Sequence, residues 1–374
     1  VALKAAFVAL VALWCSATLH AADADLPHHT ADGFQNPTGA IAAKPLGDLL
    51  RWKLDAARDG LPPRPQHPTP VVAPDLRALR VNTDPVRRVG GPGPYAPLPS
   101  ATWIGHATVL VQSGGLNILT DPIFSERASP FAFSGPKRAQ PPGIALADLP
   151  PIDVVLISHN HYDHLDLASV VQLDRRAQGR TLFLVPLGLK KWFAEQGITH
   201  VAELDWWDVQ RVAGVEFELV PAQHWSARGL DDRNKTLWGG WAVFAPDLRW
   251  YFSGDTGYSR LFSETRQKLA SHMRDGYLFD LALLAIGAYE PLWFMSTQHM
   301  NPAGAVQAHK DLAARRSIGI HWGTFELTDE ALDQPPRDLA MARAQRGVRD
   351  EDFFVLPVGG TWWPAGAPAL AAKQ

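Results

Sequence analysis

The sequence predicts a mixed α/β domain made of many short strands. Three observations predict it. From Ala101 onward, short apolar runs alternate with segments of helical pattern. The 30 Gly and 31 Pro are spread along the chain without a repeat, which favours many ordered turns. Polar side chains gather where the apolar runs end, and α/β enzymes commonly place their sites there. With 374 residues, 46% of them hydrophobic, the chain is ample for one large core or two smaller ones. A formal net charge of −3 excludes the basic balance of a bulk nucleic-acid binder. Some of the 14 Trp must pack the core, and others are candidates to line an apolar cleft.

The elements follow in chain order. Residues 1–22 carry a lone Lys4, an apolar run, and small residues around Ala21 and Ala22. They read as an export signal, with a retained anchor or a buried helix as alternatives. The single Cys15 lies inside this segment, so its removal leaves a chain without a disulfide. Bulky Trp14 before it argues against a lipoprotein signal. Residues 23–98 read as an arm lying across the domain, or else a disordered linker. The arm holds one short helix, LGDLLRWKLDAARDG, stopped by Gly60 and the prolines after it. Residues 99–374 form the candidate catalytic domain.

Within that domain, TWIGHATVLVQSGGLNILTDP reads as two strands joined by the turn SGG, the second ending at Asp121. PIDVVLIS is another strand, and LASVVQL starts a helix. TLFLVP, KKWFAEQG, THVAELDW and VEFELVPA continue the strand and helix alternation. WAVFAPDLRWYFSGDTG is a hairpin turning at PDL. FDLALLAIG and RRSIGIHWG are strands that end in polar residues. NPAGAVQAHKDLAAR is a helix, with Asn301 to cap it and Pro302 at its first position. Gly114-Gly115 and Gly239-Gly240 have no phosphate-loop context and read as turn glycines.

The stretch VLISHNHYDHLD ends a buried strand with a dense set of imidazoles and carboxylates. Side chains two apart on extended backbone point the same way, so His159 and His161 converge. Asp163 and His164 follow at once. The His pair can hold one divalent ion and the Asp–His pair a second. Such crowding is costly without a cation to compensate. Further ligands come from other strand ends: His224 for the first ion, His321 for the second, and Asp255 as the bridging carboxylate. Zinc suits this mix of donors, and iron or manganese are alternatives. His106 and His272 read as hydrogen-bonded structural residues.

The motif His-x-His-x-Asp-His after an apolar strand resembles the signature of the metallo-β-lactamase superfamily. Within it, the chain resembles a bacterial member of the N-acyl-phosphatidylethanolamine-hydrolysing phospholipase D family. The likeness includes FQNP, WIGHAT, TDPIFSERASP, ISHNHYDHLD, PAQHWSARG, GDTGY, IGAYEPLWFM, QHMNP and IHWGTFE, between Phe34 and Glu326. It implies a four-layer αβ/βα sandwich with a two-metal site at the edge of its sheets. It implies a first zinc on His159, His161 and His224, a second on Asp163, His164 and His321, and Asp255 between them. Gln298 and His299 would lie beside the site and touch the phosphoryl region; His299 packed against Trp293 is the alternative.

The resemblance implies release of phosphatidic acid and an N-acylethanolamine, with the two ions lowering the pKa of a shared water. Asp163 would ligate and orient the nucleophile. Asp255 would link the ions, and His299 or water would pass a proton to the leaving group. Tyr289, Trp293 and Phe294 are candidates for an apolar substrate groove, or else for ordinary packing. The loop 124–138, with Phe124, Phe131 and Phe133, would cover the site, touch a membrane, or pack on the domain. The rival readings are a metal-dependent lactonase or other ester hydrolase, and a non-catalytic envelope protein with structural metal. The charge balance opposes a nuclease, and the longer motifs oppose β-lactam hydrolysis. The expected setting is the bacterial cell envelope, periplasmic or peripheral on a membrane. A phospholipid or other ester is the expected substrate, a homodimer is one candidate assembly that the sequence leaves open, and no nucleic acid is expected.

Overall fold

The computed structural model describes residues 26–37, 39, 44–81 and 98–364. The expected export signal, and residues 82–97 of the arm, lie outside the described residues. A two-stranded ribbon, β1 (His29–Thr30) and β2 (Gly33–Phe34), precedes the helix Leu46–Asp59. That helix ends where Gly60 adopts the left-handed conformation at φ 66° and returns its N–H to Ala56 O. It buries Trp52 and Ala56 and leaves Leu46, Leu50 and Leu54 in solvent.

Two seven-stranded sheets form the centre. One contains β3 (Ser100–Gly105), β4 (Thr108–Ser113), β5 (Leu116–Thr120), β6 (Val154–Leu156), β7 (Leu182–Pro186) and β8 (Val201–Leu204). The other contains β9 (Val209–Val212), β10 (Val215–Val220), β11 (Gly240–Phe244), β12 (Arg249–Phe252), β13 (Leu281–Ala285), β14 (Ser317–Ile320) and β15 (Phe353–Val355). β16 (Thr361–Trp362) returns to pair with β3. Each sheet starts antiparallel and finishes parallel. The change falls at β5–β6 in one and at β12–β13 in the other.

Alternation along β4 shows how the layers form. Val109 and Val111 join the core that includes Phe217 and Trp241 of the other sheet. Leu110 faces the opposite way, into a second core with Leu79, Val170 and Phe193 from the helices Leu76–Val81, Leu167–Ala177 and Lys190–Glu195. Helices Leu261–Lys268, Pro302–Asp311 and Gln334–Arg346 complete the far side. The result is a four-layer αβ/βα sandwich. Burying each of these aliphatic or aromatic side chains contributes roughly 1.5–3 kcal/mol.

Several details differ from the sequence reading. The segment read as one strand before SGG is two, β3 and β4, because Gly105 at φ 136° and His106 at φ 52° reverse the chain. β9, the last helix and the two final strands have no counterpart in the sequence reading, although β15 is the wholly apolar run Phe353–Val355. Gly239 and Gly240 are not in a turn. Gly240 opens β11 and Gly239 leads into it, and a Cβ on either would lie 2.8 Å from a carbonyl oxygen, of Phe252 and of Val220 respectively. Asn301 does cap its helix, accepting from Gly304 N at 2.9 Å. Among the described residues, no helix is long and apolar enough to cross a membrane.

Candidate metal centre

The carboxyl ends of β5, β6, β10, β12 and β14 open on the same edge, each leading into a polar residue. Asp121 follows β5, His159 follows β6, His224 follows β10, Asp255 follows β12 and His321 follows β14. Parallel register brings β12 and β14 to one level, while the sandwich brings β6 beside them. A main-chain bond from His321 N to His106 O, 2.9 Å, ties the two sheets across this edge.

The side chains fall into two groups. His159, His161 and His224 form one, with His159 Nε2 2.8 Å and His224 Nε2 3.3 Å from His161 Nδ1. Asp163, His164 and His321 form the other, with the two Nε2 atoms 3.2 Å apart and Asp163 Oδ2 within 3.4 Å of both. Asp255 faces the two together. Its Oδ2 is 3.0 Å from His164 Nε2 and 3.9 Å from both His159 and His224 Nε2, and its Oδ1 is 3.1 Å from His321 Nε2. The structure therefore gathers all seven residues singled out in the sequence.

The donors fit divalent cations. A tetrahedral ion with bonds near 2.05 Å to nitrogen spaces its ligand atoms about 3.3 Å apart, close to the separations here. Ring nitrogens face one another here, and neutral imidazoles cannot all donate. Among the described residues, His161 Nε2 and His321 Nδ1 are buried without a hydrogen-bond partner. Burial drives the His159 imidazole well below its usual range, and the neighbouring His164 and His161 add to it. Burial pushes the Asp255 carboxyl up, but His164, His321 and His299 together hold it well below the carboxylate range.

Residues behind the ligands orient them. Asp121, fully buried, accepts from His164 Nδ1 at 2.6 Å, from Ser158 Oγ at 2.5 Å and from Ser158 N at 2.7 Å. His106 Nε2 donates to Asp163 Oδ2 at 2.9 Å. It is a hydrogen-bonded residue, but one seated against a ligand. His272 stacks on Phe244, away from the site. Gln298 O accepts from His224 Nδ1 at 2.9 Å. Asn36, from the arm, pairs with both main-chain groups of His224. Asp121 and Asn36 received no role from the sequence. Asp121 carried a signal, since it ends an apolar strand before Pro122 as Asp255 ends β12. Asn36 carried none beyond its place in FQNP.

A cavity of about 400 Å³ opens beside the two groups. His161, Asp163, Asp255 and His299 line its floor, and Trp52, Phe294 and Met295 line an apolar wall. Gln298, His299 and Phe294 thus sit where a substrate would lie. Tyr289 does not. It is buried, and its hydroxyl donates to Asp338 at 2.5 Å. Trp293 faces outward, half exposed, under the Arg51 guanidinium. Met295 and Phe294 point inward from the short helix Leu292–Met295, which turns the neighbouring Trp293 away.

Sheets, strand-end ligands and cavity together define a metal-dependent hydrolase. Residues 116–322 match the β-lactamase superfamily domain. The N-acyl-phosphatidylethanolamine-hydrolysing phospholipase D 1 of Caenorhabditis elegans is 43% identical over 70% of this chain and 75% of its own. The mitochondrial enzyme of the same name from Saccharomyces cerevisiae is 35% identical over 67% of this chain and 53% of its own. An isothiocyanate hydrolase from Delia radicum gut bacteria shares the fold at TM-score 0.54 and 18% identity, over 70% of this chain and 98% of that one. The chain belongs to the metallo-β-lactamase superfamily and, within it, to the N-acyl-phosphatidylethanolamine-hydrolysing phospholipase D family.

Proposed function

We propose that the protein is a binuclear zinc phosphodiesterase that hydrolyses N-acyl-phosphatidylethanolamine to N-acylethanolamine and phosphatidic acid. His159, His161 and His224 would hold one ion, Asp163, His164 and His321 the other, and Asp255 both. When bound, the ions supply an acidified water and neutralise charge on the phosphoryl oxygens. The observation that carries the reading is the junction of this cluster with a cavity that is aromatic on one side and cationic at Lys44 and Arg233. Apolar wall suits acyl chain, and cations suit a phosphodiester.

In the reaction, a water oxygen joins phosphorus as the bond from phosphorus to the ethanolamine oxygen breaks. The departing alkoxide takes a proton. Asp163, fixed by His106, presents its carboxylate to the floor of the cavity and is placed to orient the nucleophile. His299 lines the same cavity, and its Nδ1 has no hydrogen-bond partner among the described residues. Burial pushes its pKa down to about 4, against the pull of Asp255, so it is neutral at pH 7 and able to relay a proton.

Access from a bilayer belongs to the same reading. Leu46, Leu50 and Leu54 form an exposed stripe on the helix Leu46–Asp59, whose Leu49 and Trp52 line the cavity. Trp293 and the basic Arg51 stand beside it. Phe131 and Phe133 are exposed on the loop 124–138, whereas Phe124 packs against the domain. The reading of export to the envelope rests on the sequence of residues 1–22 alone.

The test uses protein purified without chelator. Bound metal is measured, and N-acyl-phosphatidylethanolamine is assayed in mixed micelles beside Asp255→Asn. Two metals per chain, with release of N-acylethanolamine that the variant loses, is the expected result. Metal without release would redirect the search to lactones and other esters. No metal, with no activity on adding zinc or manganese, would refute the reading.

A further inference from the structure

We propose that Arg233 is the anion-recognising residue of the cavity, gripping the phosphoryl oxygens of the substrate and of its phosphate monoester product. The proposal deepens the phosphodiesterase reading and rests on it for the identity of the substrate.

Arg233 lies in the loop after His224 and lines the cavity together with His161 and Asp255. Its guanidinium stacks on Trp225 with 4.1 Å from Cζ to the ring centroid. Trp225 in turn meets His161 edge to face at 4.3 Å. The cation is therefore held on a platform that leads directly to a candidate metal ligand. Stacking fixes the plane of the guanidinium and leaves its edge, with five N–H donors, free to face a ligand.

No acceptor takes those donors among the described residues. The neighbouring carboxylate of Asp232 is engaged elsewhere, accepting from Arg228 N at 3.0 Å and Gly229 N at 2.8 Å. Burial alone moves the Arg233 pKa, downward, since no carboxylate opposes it. A partly buried guanidinium with no counter-ion is costly unless a ligand supplies one. Contrast Arg228, five residues earlier, which spends its guanidinium on the carbonyls of Asn160 and Leu165. Lys44, across the cavity beside Phe294, adds a second charge but only as a point cation. Arg matches the two oxygens of a phosphoryl group with two parallel bonds, which Lys cannot. The group recognised is thus a phosphate ester, and a neutral ester or lactone has no use for it.

The decisive experiment is equilibrium binding to the protein as purified, read by tryptophan fluorescence and calorimetry. The ligands are dihexanoyl phosphatidate below its micelle concentration, inorganic phosphate, and dihexanoylglycerol as the neutral control. Arg233→Ala should weaken phosphatidate about tenfold and leave the neutral control unchanged, with metal content unaltered. Arg233→Lys should recover part of the loss. Equal weakening of inorganic phosphate assigns the subsite to the phosphoryl group itself, and weakening of phosphatidate alone assigns it to a lipid-borne phosphate. Unchanged phosphatidate binding in Arg233→Ala, or loss of the neutral ligand to the same degree, overturns the proposal. So does failure of the wild type to bind phosphatidate. Because no turnover is read, these outcomes stand whether or not the diester is the true substrate.

Discussion

Asn36 Nδ2 donates to His224 O at 2.8 Å, and His224 N donates to Asn36 Oδ1 at 3.1 Å. One buried amide thus holds both main-chain groups of a candidate metal ligand 188 positions away. The arm is itself anchored nearby. His28 and His29 each reach Asp205, at 2.6 and 2.7 Å, and Phe34 N donates to Asn234 O at 2.8 Å. Asn36→Ala should leave two buried polar groups unpaired and cost about 1–3 kcal/mol. The first-ion affinity should fall about tenfold, and the His224 amide should exchange faster. Asn36→Asp, which keeps one acceptor, should fall between. Unchanged affinity and exchange in Asn36→Ala would remove the arm from the metal centre.

Asp121 fixes the ring of His164 through Nδ1, leaving Nε2 for an ion. Carboxylates behind a ligating histidine typically contribute ten- to a hundredfold to metal affinity. Asp121→Asn should therefore lower the second-ion affinity by about that factor, measured by competition with a chromophoric chelator. The first ion should be affected much less. Equal loss at both sites would point to a general collapse of the edge.

Removing metal should destabilise the fold, because imidazoles and carboxylates face one another at 2.8–3.4 Å. An ion present at a hundred to a thousand times its Kd stabilises by about 3–4 kcal/mol. For a domain of this size that is a fall in Tm of about 5–10 °C on adding chelator. A second addition of zinc should restore it. No change in Tm would mean that the cluster is stable unaided.

Away from the site, Glu218 on β10 gives a pH test. Burial, with Glu216 beside it, pushes its carboxyl up to about 7 from the ordinary 4.5. The folded state then binds this proton more tightly than the unfolded chain. Stability contributed by the group is full at low pH and is lost as pH rises from about 4.5 to about 7. Partial solvent screening leaves an effect of about 1–2 kcal/mol. Glu218→Gln should raise stability at pH 8 by about that amount and not at pH 4.5. A gain of equal size at both pH values would contradict the assignment.

The candidate metal ligands were legible because their information is local. A strand of period two ending in His159, His161, Asp163 and His164 needs no tertiary contact to announce itself. Asp255 and His321 were found by the same strand-end rule. For Tyr289 and Trp293 the sequence left groove and ordinary packing both open, because an aromatic residue's facing is set by what packs around it. Here Asp338 claims Tyr289, and the turn of a single short helix sends Trp293 out while Phe294 goes in.

The sequence by itself determined most of the element types and displayed the His-x-His-x-Asp-His motif, since periodicity and spacing are properties of short stretches, and the motifs quoted above carried the resemblance to the family. Tertiary structure decided which distant residues act together. The strand order within one sheet set His106, after β3, against Asp163, after β6, and docking the arm set Asn36 on His224. The fold of the loop after His224 left Arg233 without a counter-ion among the described residues. These relations depend on packing a few ångströms deep across long loops, and no local pattern encodes them.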